Sequence, residues 1–279
     1  LGYFQRALKL GQASDDKGMI ANALNNIGIT HYKRRDYPQA LEYYQQSLAL
    51  REQLNDKRAA AQTLNNIGII NRIQGDYKRA LEYYQQSFAI REKLDDQSGM
   101  AHALNHIAII HYLQGDYAQS LQFINRVIDI ATRLESLELL WRGYEHAGRV
   151  LTALKRYDEA EKSLTTSINT IEKMRYLVGG GELARQRFFE DKFPPYTAMV
   201  ELAFSRNRPA DALTYSELAK ARALLDVLRN GRIPINKAMS LEEQEKERVS
   251  NAELTAFNAQ IYDERQRPKP DLNRLAELE

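Results

Sequence analysis

The chain has 279 residues, no cysteine and a formal net charge of +2, from 39 Lys and Arg against 37 Asp and Glu. The lack of cysteine excludes disulfides, thiolate metal sites and cysteine nucleophiles from this sequence, and the balanced charge gives no support for a nucleic-acid-binding or membrane-surface protein. No apolar run approaches the roughly 20 residues that span a bilayer, and no signal-peptide pattern opens the sequence. We therefore expect a cytoplasmic protein, and because the sequence begins at Leu1 and ends at Glu279 in a helical pattern, a fragment of a longer one.

A block of sequence recurs every 40 residues. Leu-Asn-Asn-Ile-Gly at 24–28 returns unchanged at 64–68 and in weaker form at 104–108. A second block keeps the same register, with Asp-Tyr at 36–37, 76–77 and 116–117. A fixed period of this size indicates stacked repeats, in which each unit buries its apolar face against its neighbours.

The first 20 residues fit half a repeat, because Leu1, Phe4 and Leu8 align with the apolar stripe of the second helix in the next repeat. The first helix of that leading repeat is missing. The apolar face that this leaves open is a candidate surface for pairing with a second copy of the chain.

Each full repeat is predicted to be a pair of helices. Leu24, Ile27 and Gly28 lie on one face of the first helix, and the small residue at the Gly28 position suits a close helix crossing. The same position holds Gly68, Ala108 and Gly148. The turn that follows has Gly75 and Gly115 at predicted left-handed C-caps, and Asp36, Asp76 and Asp116 at predicted N-caps of the second helix.

A fourth copy of the repeat spans 143–171, and the period fails after Ile171. Gly179–Gly181 interrupts it, and a further helix pair is predicted at 196–205 and 210–228. Residues 241–265 are rich in charge and predict an exposed helix. We divide the chain into a repeat array at 1–172, a divergent terminal repeat with capping helices at 173–232, and a truncated helical connector at 233–279.

The Leu-x-x-Ile-Gly, Gly-Asp-Tyr and Ala-Leu-x-x-Tyr pattern resembles the tetratricopeptide repeat, in a variant of about 40 residues rather than 34. The resemblance implies an all-α fold, an α-solenoid of stacked antiparallel helix pairs, here with a C-terminal helical extension. The segment Tyr215–Leu228 also resembles the last repeat helix of bacterial proteins that join such repeats to a caspase-like CHAT peptidase. The His and Cys of that peptidase would have to lie downstream of this sequence.

In this family the first helices line a concave groove, and a carboxamide there can bond both the donor and the acceptor of a peptide unit. Asn is a weak helix former, so its repeated use in the middle of a helix indicates a specific role. That role is either ligand binding or, as the alternative, a hydrogen bond from one Asn of each pair that sets the repeat geometry. The groove residues that the register predicts are Asn22, Asn25, Asn26, Tyr32, Gln62, Asn65, Asn66, Arg72, His102, Asn105, His106, Tyr112, Arg142 and Arg149. Of these, Arg142 and Arg149 are expected to favour an acidic group on the ligand.

Other chemistry finds little support in the sequence. His102 and His106 have the i, i+4 spacing of zinc pairs, but no carboxylate joins them at ligand spacing, so we expect no metal. We find no catalytic constellation and no cofactor fingerprint. The sequence thus predicts a scaffold that binds a protein or peptide and couples it to an effector, such as a CHAT peptidase. A structural self-assembly module is the alternative.

Overall fold

The computed structural model describes residues 1–177 and 192–229, with four isolated positions beyond them. The predictions for Gly179–Gly181 and for the connector at 233–279, with its charged segment, lie outside these two ranges. The secondary structure of both ranges is helical: α1 Gly2–Ala13, α2 Lys17–Lys33, α3 Tyr37–Gln53, α4 Lys57–Ile73, α5 Tyr77–Lys93, α6 Gln97–Leu113, α7 Tyr117–Arg133, α8 Leu137–Ala153, α9 Tyr157–Leu177, α10 Pro194–Ser205 and α11 Pro209–Arg229.

The fold is all-α, as predicted, and it divides into two compact units, Leu1–Leu134 and Glu135–Glu279. In the first unit the helix pairs α2/α3, α4/α5 and α6/α7 stack in order as a solenoid, and α1 packs on α2. In the second unit α8 pairs with α9, and α10 pairs with α11 and packs on α9. Since α9 continues to Leu177, the array boundary proposed at residue 172 falls within a helix.

The helices of the first unit begin at capping residues that recur every 20 residues. The predicted caps Asp36, Asp76 and Asp116 are confirmed, since each side chain accepts a hydrogen bond from a backbone N–H of the first turn. The turn before each helix contains one left-handed residue. Gly75 and Gly115 hold this position with φ of +82° and +79°, as predicted, whereas Arg35 adopts it with φ of +62°.

The small-residue position on the first helices is a point of close contact. A Cβ on Gly28 would lie 2.7 Å from the ring of Tyr44, and one on Gly68 would lie 2.6 Å from the ring of Tyr84. Both tyrosines are almost fully buried. The prediction that helices cross closely at Gly28 and Gly68 is therefore confirmed, and the buried tyrosine is what requires the glycine.

Buried serines connect the second helix of a pair to the first. The hydroxyl of Ser47 donates to the carbonyl of Ala21, and that of Ser87 donates to the carbonyl of Ala61, both at 2.8 Å. Ser167 repeats the contact in the second unit by donating to the carbonyl of Trp141. These bonds fix the register of the paired helices, which in turn fixes the direction in which the outer side chains of the first helices point.

Candidate functional site

Most of the residues predicted for the groove lie on one face of the first helices. We call it the outer face and define it by Asn22 on α2, Gln62 on α4 and His102 on α6. Asn22, Gln62 and His102 occupy equivalent positions on α2, α4 and α6, and all three are exposed. Asn25 differs from the expectation, because it is buried at 5% exposure. The remaining predicted residues of the first unit are partly buried: Asn26, Tyr32, Asn65, Asn66, Arg72, Asn105, His106 and Tyr112.

An open cavity of about 410 Å³ lies on this face, between α4 and α6. Its volume falls within the range of about 300–1,000 Å³ that is typical of ligand sites. Five predicted residues line it: Gln62, Asn65, Asn66, His102 and His106. Five others that line it were not predicted: Arg58, Arg91, Asp96, Ser98 and Gly99.

The paired asparagines divide their roles between the scaffold and the cavity. Asn66 Nδ2 donates to Asn25 Oδ1 at 3.3 Å, which connects α4 to α2 in the adjoining repeat. Asn65 Oδ1 is buried and has no hydrogen-bond partner among the described residues, although Asn65 lines the cavity. The Asn25–Asn66 contact supports the alternative that one Asn of each pair sets the repeat geometry. Asn65 is left as a candidate binding group.

The histidines of α6 are held by aromatic and acidic neighbours. The His106 ring stacks on Tyr84, with 5.0 Å between ring centroids, and burial raises the pKa of Tyr84 to about 12. His111 Nδ1 lies 3.7 Å from Asp116 Oδ2, and its ring stacks on Phe123. Among the described residues, no group of three or more His, Asp or Glu side chains is placed to hold a metal ion.

Arg91 is a cavity residue that sequence reasoning missed. It lies at the end of α5 and is 9% exposed, and Arg51 occupies the equivalent position at the end of α3. The sequence signal was present, because the two arginines obey the same period of 40 residues as the asparagines. The groove expected from the resemblance is built from the first helix of each pair, whereas Arg91 lies on a second helix.

The predicted residues of the second unit are engaged within α8 and with α10. Arg142 donates from Nε to Glu138 Oε1 at 2.8 Å and lies over the Trp141 ring. Arg149 forms ion pairs with Glu145, which is 3% exposed, and with Glu201, at 2.9 Å. Arg149 therefore joins α8 to α10, and its charge is already met by carboxylates of this chain.

Within the part of the chain that the structure describes, no helix combines the length and apolarity that crossing a membrane requires. This observation agrees with the hydropathy of the sequence.

The fold is shared with solved repeat proteins of low sequence identity. BtubC (BKLC) from P. vanneervenii matches with a TM-score of 0.64 and 13% identity, over 84% of this chain and 92% of that one. The apo form of RapI matches with a TM-score of 0.61 and 12% identity, over 87% and 85% of the two chains. A kinesin light chain-like repeat protein of Podosopora anserina gives a TM-score of 0.54 and 12% identity, over 72% and 93%.

No curated protein has a sequence that matches this chain. The family model of the tetratricopeptide repeat does match, at residues 1–53, 19–93 and 59–133. These segments cover helices α1 to α7 and every copy of the Leu-x-x-Ile-Gly block in the first unit. The repeats of residues 1–133 are therefore tetratricopeptide repeats.

Proposed function

We propose that the first unit is a binding scaffold, and that the cavity between α4 and α6 receives an extended segment of a partner protein. The observation that carries the proposal is the cavity itself, because its lining includes five side chains that the repeat register places on the outer face. Carboxamides at Gln62, Asn65 and Asn66 offer both donors and acceptors to peptide units. A scaffold that positions exposed polar groups in this way is a common basis for binding.

The buried oxygen of Asn65 supports the proposal further. A buried acceptor without a donor costs roughly 1–3 kcal/mol, and a backbone N–H of a bound segment would satisfy it. The equivalent oxygen of Asn25 already accepts a hydrogen bond from Asn66, so of these two asparagines it is Asn65 whose oxygen lacks a donor. Arg142 and Arg149 are left out of the binding surface, because each is paired with carboxylates of this chain.

A displayed library of random peptides of about a dozen residues tests the proposal on the full chain. We expect selected peptides whose affinity falls about tenfold or more in His102→Ala and Asn65→Ala, as loss of a hydrogen bond in a desolvated site predicts. Gln86→Ala is the matched control, since Gln86 is exposed on α5 and does not line the cavity. Selected peptides that bind the His102→Ala and Asn65→Ala variants as tightly as the wild type would contradict the proposal.

We further propose that binding is coupled to an effector domain of CHAT type in the full-length protein. The support is the resemblance of Tyr215–Leu228, which lies within the single helix α11. No catalytic role for the described residues is part of the proposal. The coding sequence downstream of Glu279 tests the coupling: a His and a Cys within a caspase-like domain are expected, and their absence there would overturn it.

Self-assembly is a second candidate, which one observation favours. Tyr3 and Leu10 on α1 are 86% and 61% exposed, and Phe4 beside them is 36% exposed. Exposed apolar side chains on one helix are typical of contact surfaces. Light scattering separates the two functions, because a self-assembly module gains mass with concentration, whereas a scaffold that acts alone stays monomeric until its partner is added.

A further inference from the structure

Arg51 and Arg91 lie one repeat apart at the same position and are both buried, at 4% and 9% exposure. Burial lowers the pKa of both guanidinium groups, and a nearby carboxylate, Asp56 or Asp96, opposes this shift. Arginine does not escape burial by losing its proton under ordinary conditions, so its cost must be offset by hydrogen bonds. The two sites differ in whether those bonds exist.

Arg51 is bonded by its own scaffold. Its Nη1 donates to the carbonyl of Ala59 and to Thr63 Oγ1, both at 2.6 Å. Its Nη2 donates to Asn22 Oδ1 at 3.1 Å, which reaches α2 of the same helix pair. These contacts connect α2, α3 and α4, so Arg51 is a structural residue.

Two of these three partners are replaced by substitution in the repeat that holds Arg91. Ala103 stands where the Thr63 hydroxyl would be, and Gln62 replaces Asn22. No hydrogen bond from the Arg91 side chain is found among the described residues, whereas the Nη atoms of Arg51 make three. The Nε of each arginine is buried without a partner. Its guanidinium instead occupies the space over Gly99 that a Cβ would fill, and it lines the cavity between α4 and α6.

We infer that Arg91 is the centre of an anion-binding subsite, which takes a side-chain or terminal carboxylate of the segment that the cavity binds. The inference rests on the proposed function and names the chemistry of its ligand. A carboxylate would supply the acceptors that Thr63 and Asn22 supply to Arg51, in the two-point geometry that a guanidinium favours. Arg58, exposed at the start of α4, adds a second cation to the same cavity.

The charge of the cavity favours a carboxylate over a phosphate. Arg58 and Arg91 face one carboxylate, that of Asp96, which leaves an excess of one positive charge when the histidines are neutral. A singly charged ligand balances that excess. A phosphate group carries about −1.5 to −2 at neutral pH and would be repelled by Asp96 more strongly than a carboxylate.

Thermal melting of the full chain tests whether Arg91 is free of a structural role. Arg91→Met keeps an apolar stem and removes a buried charge that has no hydrogen-bond partner, so we expect an unchanged or raised melting temperature. Arg51→Met is the matched control one repeat earlier, and it should lower the melting temperature by roughly 2–4 °C, because it removes three hydrogen bonds that connect α3 to α2 and α4. Equal losses in the two variants would overturn the inference.

The second test is an NMR titration of the arginine Nε–Hε signals with acetyl-Gly-Glu-Gly-amide, its Gln counterpart and its phosphoserine counterpart. We expect a saturable shift of the Arg91 signal with the Glu probe, binding at least about tenfold weaker with Gln, and no advantage for phosphoserine. Arg51→Met should keep the shift, whereas Arg91→Met should abolish the binding. A Glu probe no better than Gln would overturn the subsite, and a tighter phosphoserine probe would overturn its assigned chemistry.

The two proposals fail separately. If library peptides bind through His102 and Asn65 without preferring an acidic residue, the subsite is wrong and the scaffold function stands. If the Glu probe shifts the Arg91 signal but none of the library peptides binds, the subsite stands and the scaffold function is wrong.

Discussion

Single side chains decide where the repeats can pack and where they can bind. Gly68 has no room for a side chain, because the fully buried Tyr84 ring lies where a Cβ would be. Arg91 has the opposite character, since it is a large charged group that its own scaffold does not bond. Gly68 allows the paired helices to approach closely, and Arg91 leaves one repeat with a buried guanidinium that lacks hydrogen-bond acceptors.

Gly68→Ala should destabilise the chain, although alanine is normally the better helix former. Overpacking against Tyr84 should cost roughly 1–3 kcal/mol, more than the gain of up to about 1 kcal/mol from helix propensity. Denaturant unfolding measures the difference. Gly2→Ala is the control, because a Cβ there has nothing within 4 Å and should be neutral or slightly stabilising. Equal stability of the two variants would show that Tyr84 moves aside.

Arg149→Ala should lower the stability of the second unit. The change leaves the buried Glu145 without the Arg149 guanidinium, and it breaks the contact of α8 with Glu201 on α10. Because Arg149 is partly exposed, we expect a loss of roughly 1–3 kcal/mol, below that of a fully buried pair. Melting measures this loss. Unchanged melting together with weaker binding of a library peptide would instead restore the ligand role that the sequence predicted.

At the scale of the element, the helices of the array begin and end by local rules that place one left-handed residue in each turn. Asp side chains cap the helices of the first unit from α2 to α7, and the preceding residue is left-handed in every case. Glycine suits that position, yet Arg35 holds it in the first repeat while Gly75 and Gly115 hold it in the next two. The left-handed conformation costs a side chain about 1–2 kcal/mol.

Arg35→Gly should therefore stabilise the array by roughly 0.5–1 kcal/mol, since glycine removes the strain but adds some entropy to the unfolded chain. Equilibrium denaturation should show a higher midpoint with an unchanged slope. Gly75→Ala is the reverse experiment in the next repeat and should lower the midpoint by a similar amount. A lower midpoint in Arg35→Gly would show that the Arg35 side chain contributes more than its backbone costs.

For the whole molecule, the period of 40 residues was enough to predict the helix pairs, the Asp caps and the Gly28 and Gly68 contacts. These features are local or repeat with the period, so one copy predicts the others. The burial of Asn25 and the availability of Arg91 were not predictable in this way. The hydrogen bonds of Arg51 depend on residues 12 and 29 positions away, Thr63 and Asn22, which become its neighbours after folding and are replaced around Arg91.

A photo-crosslinking residue at position 98 tests the location of the binding site most directly. Ser98 is exposed and lines the cavity, so the substitution leaves the core unchanged. The same residue at Gln86, exposed on α5 outside the cavity, is the control. With a library-selected peptide, we predict a crosslink from position 98 and none from position 86. Crosslinking from position 86 alone, or equally from both, would contradict the assignment of the cavity between α4 and α6 as the binding site.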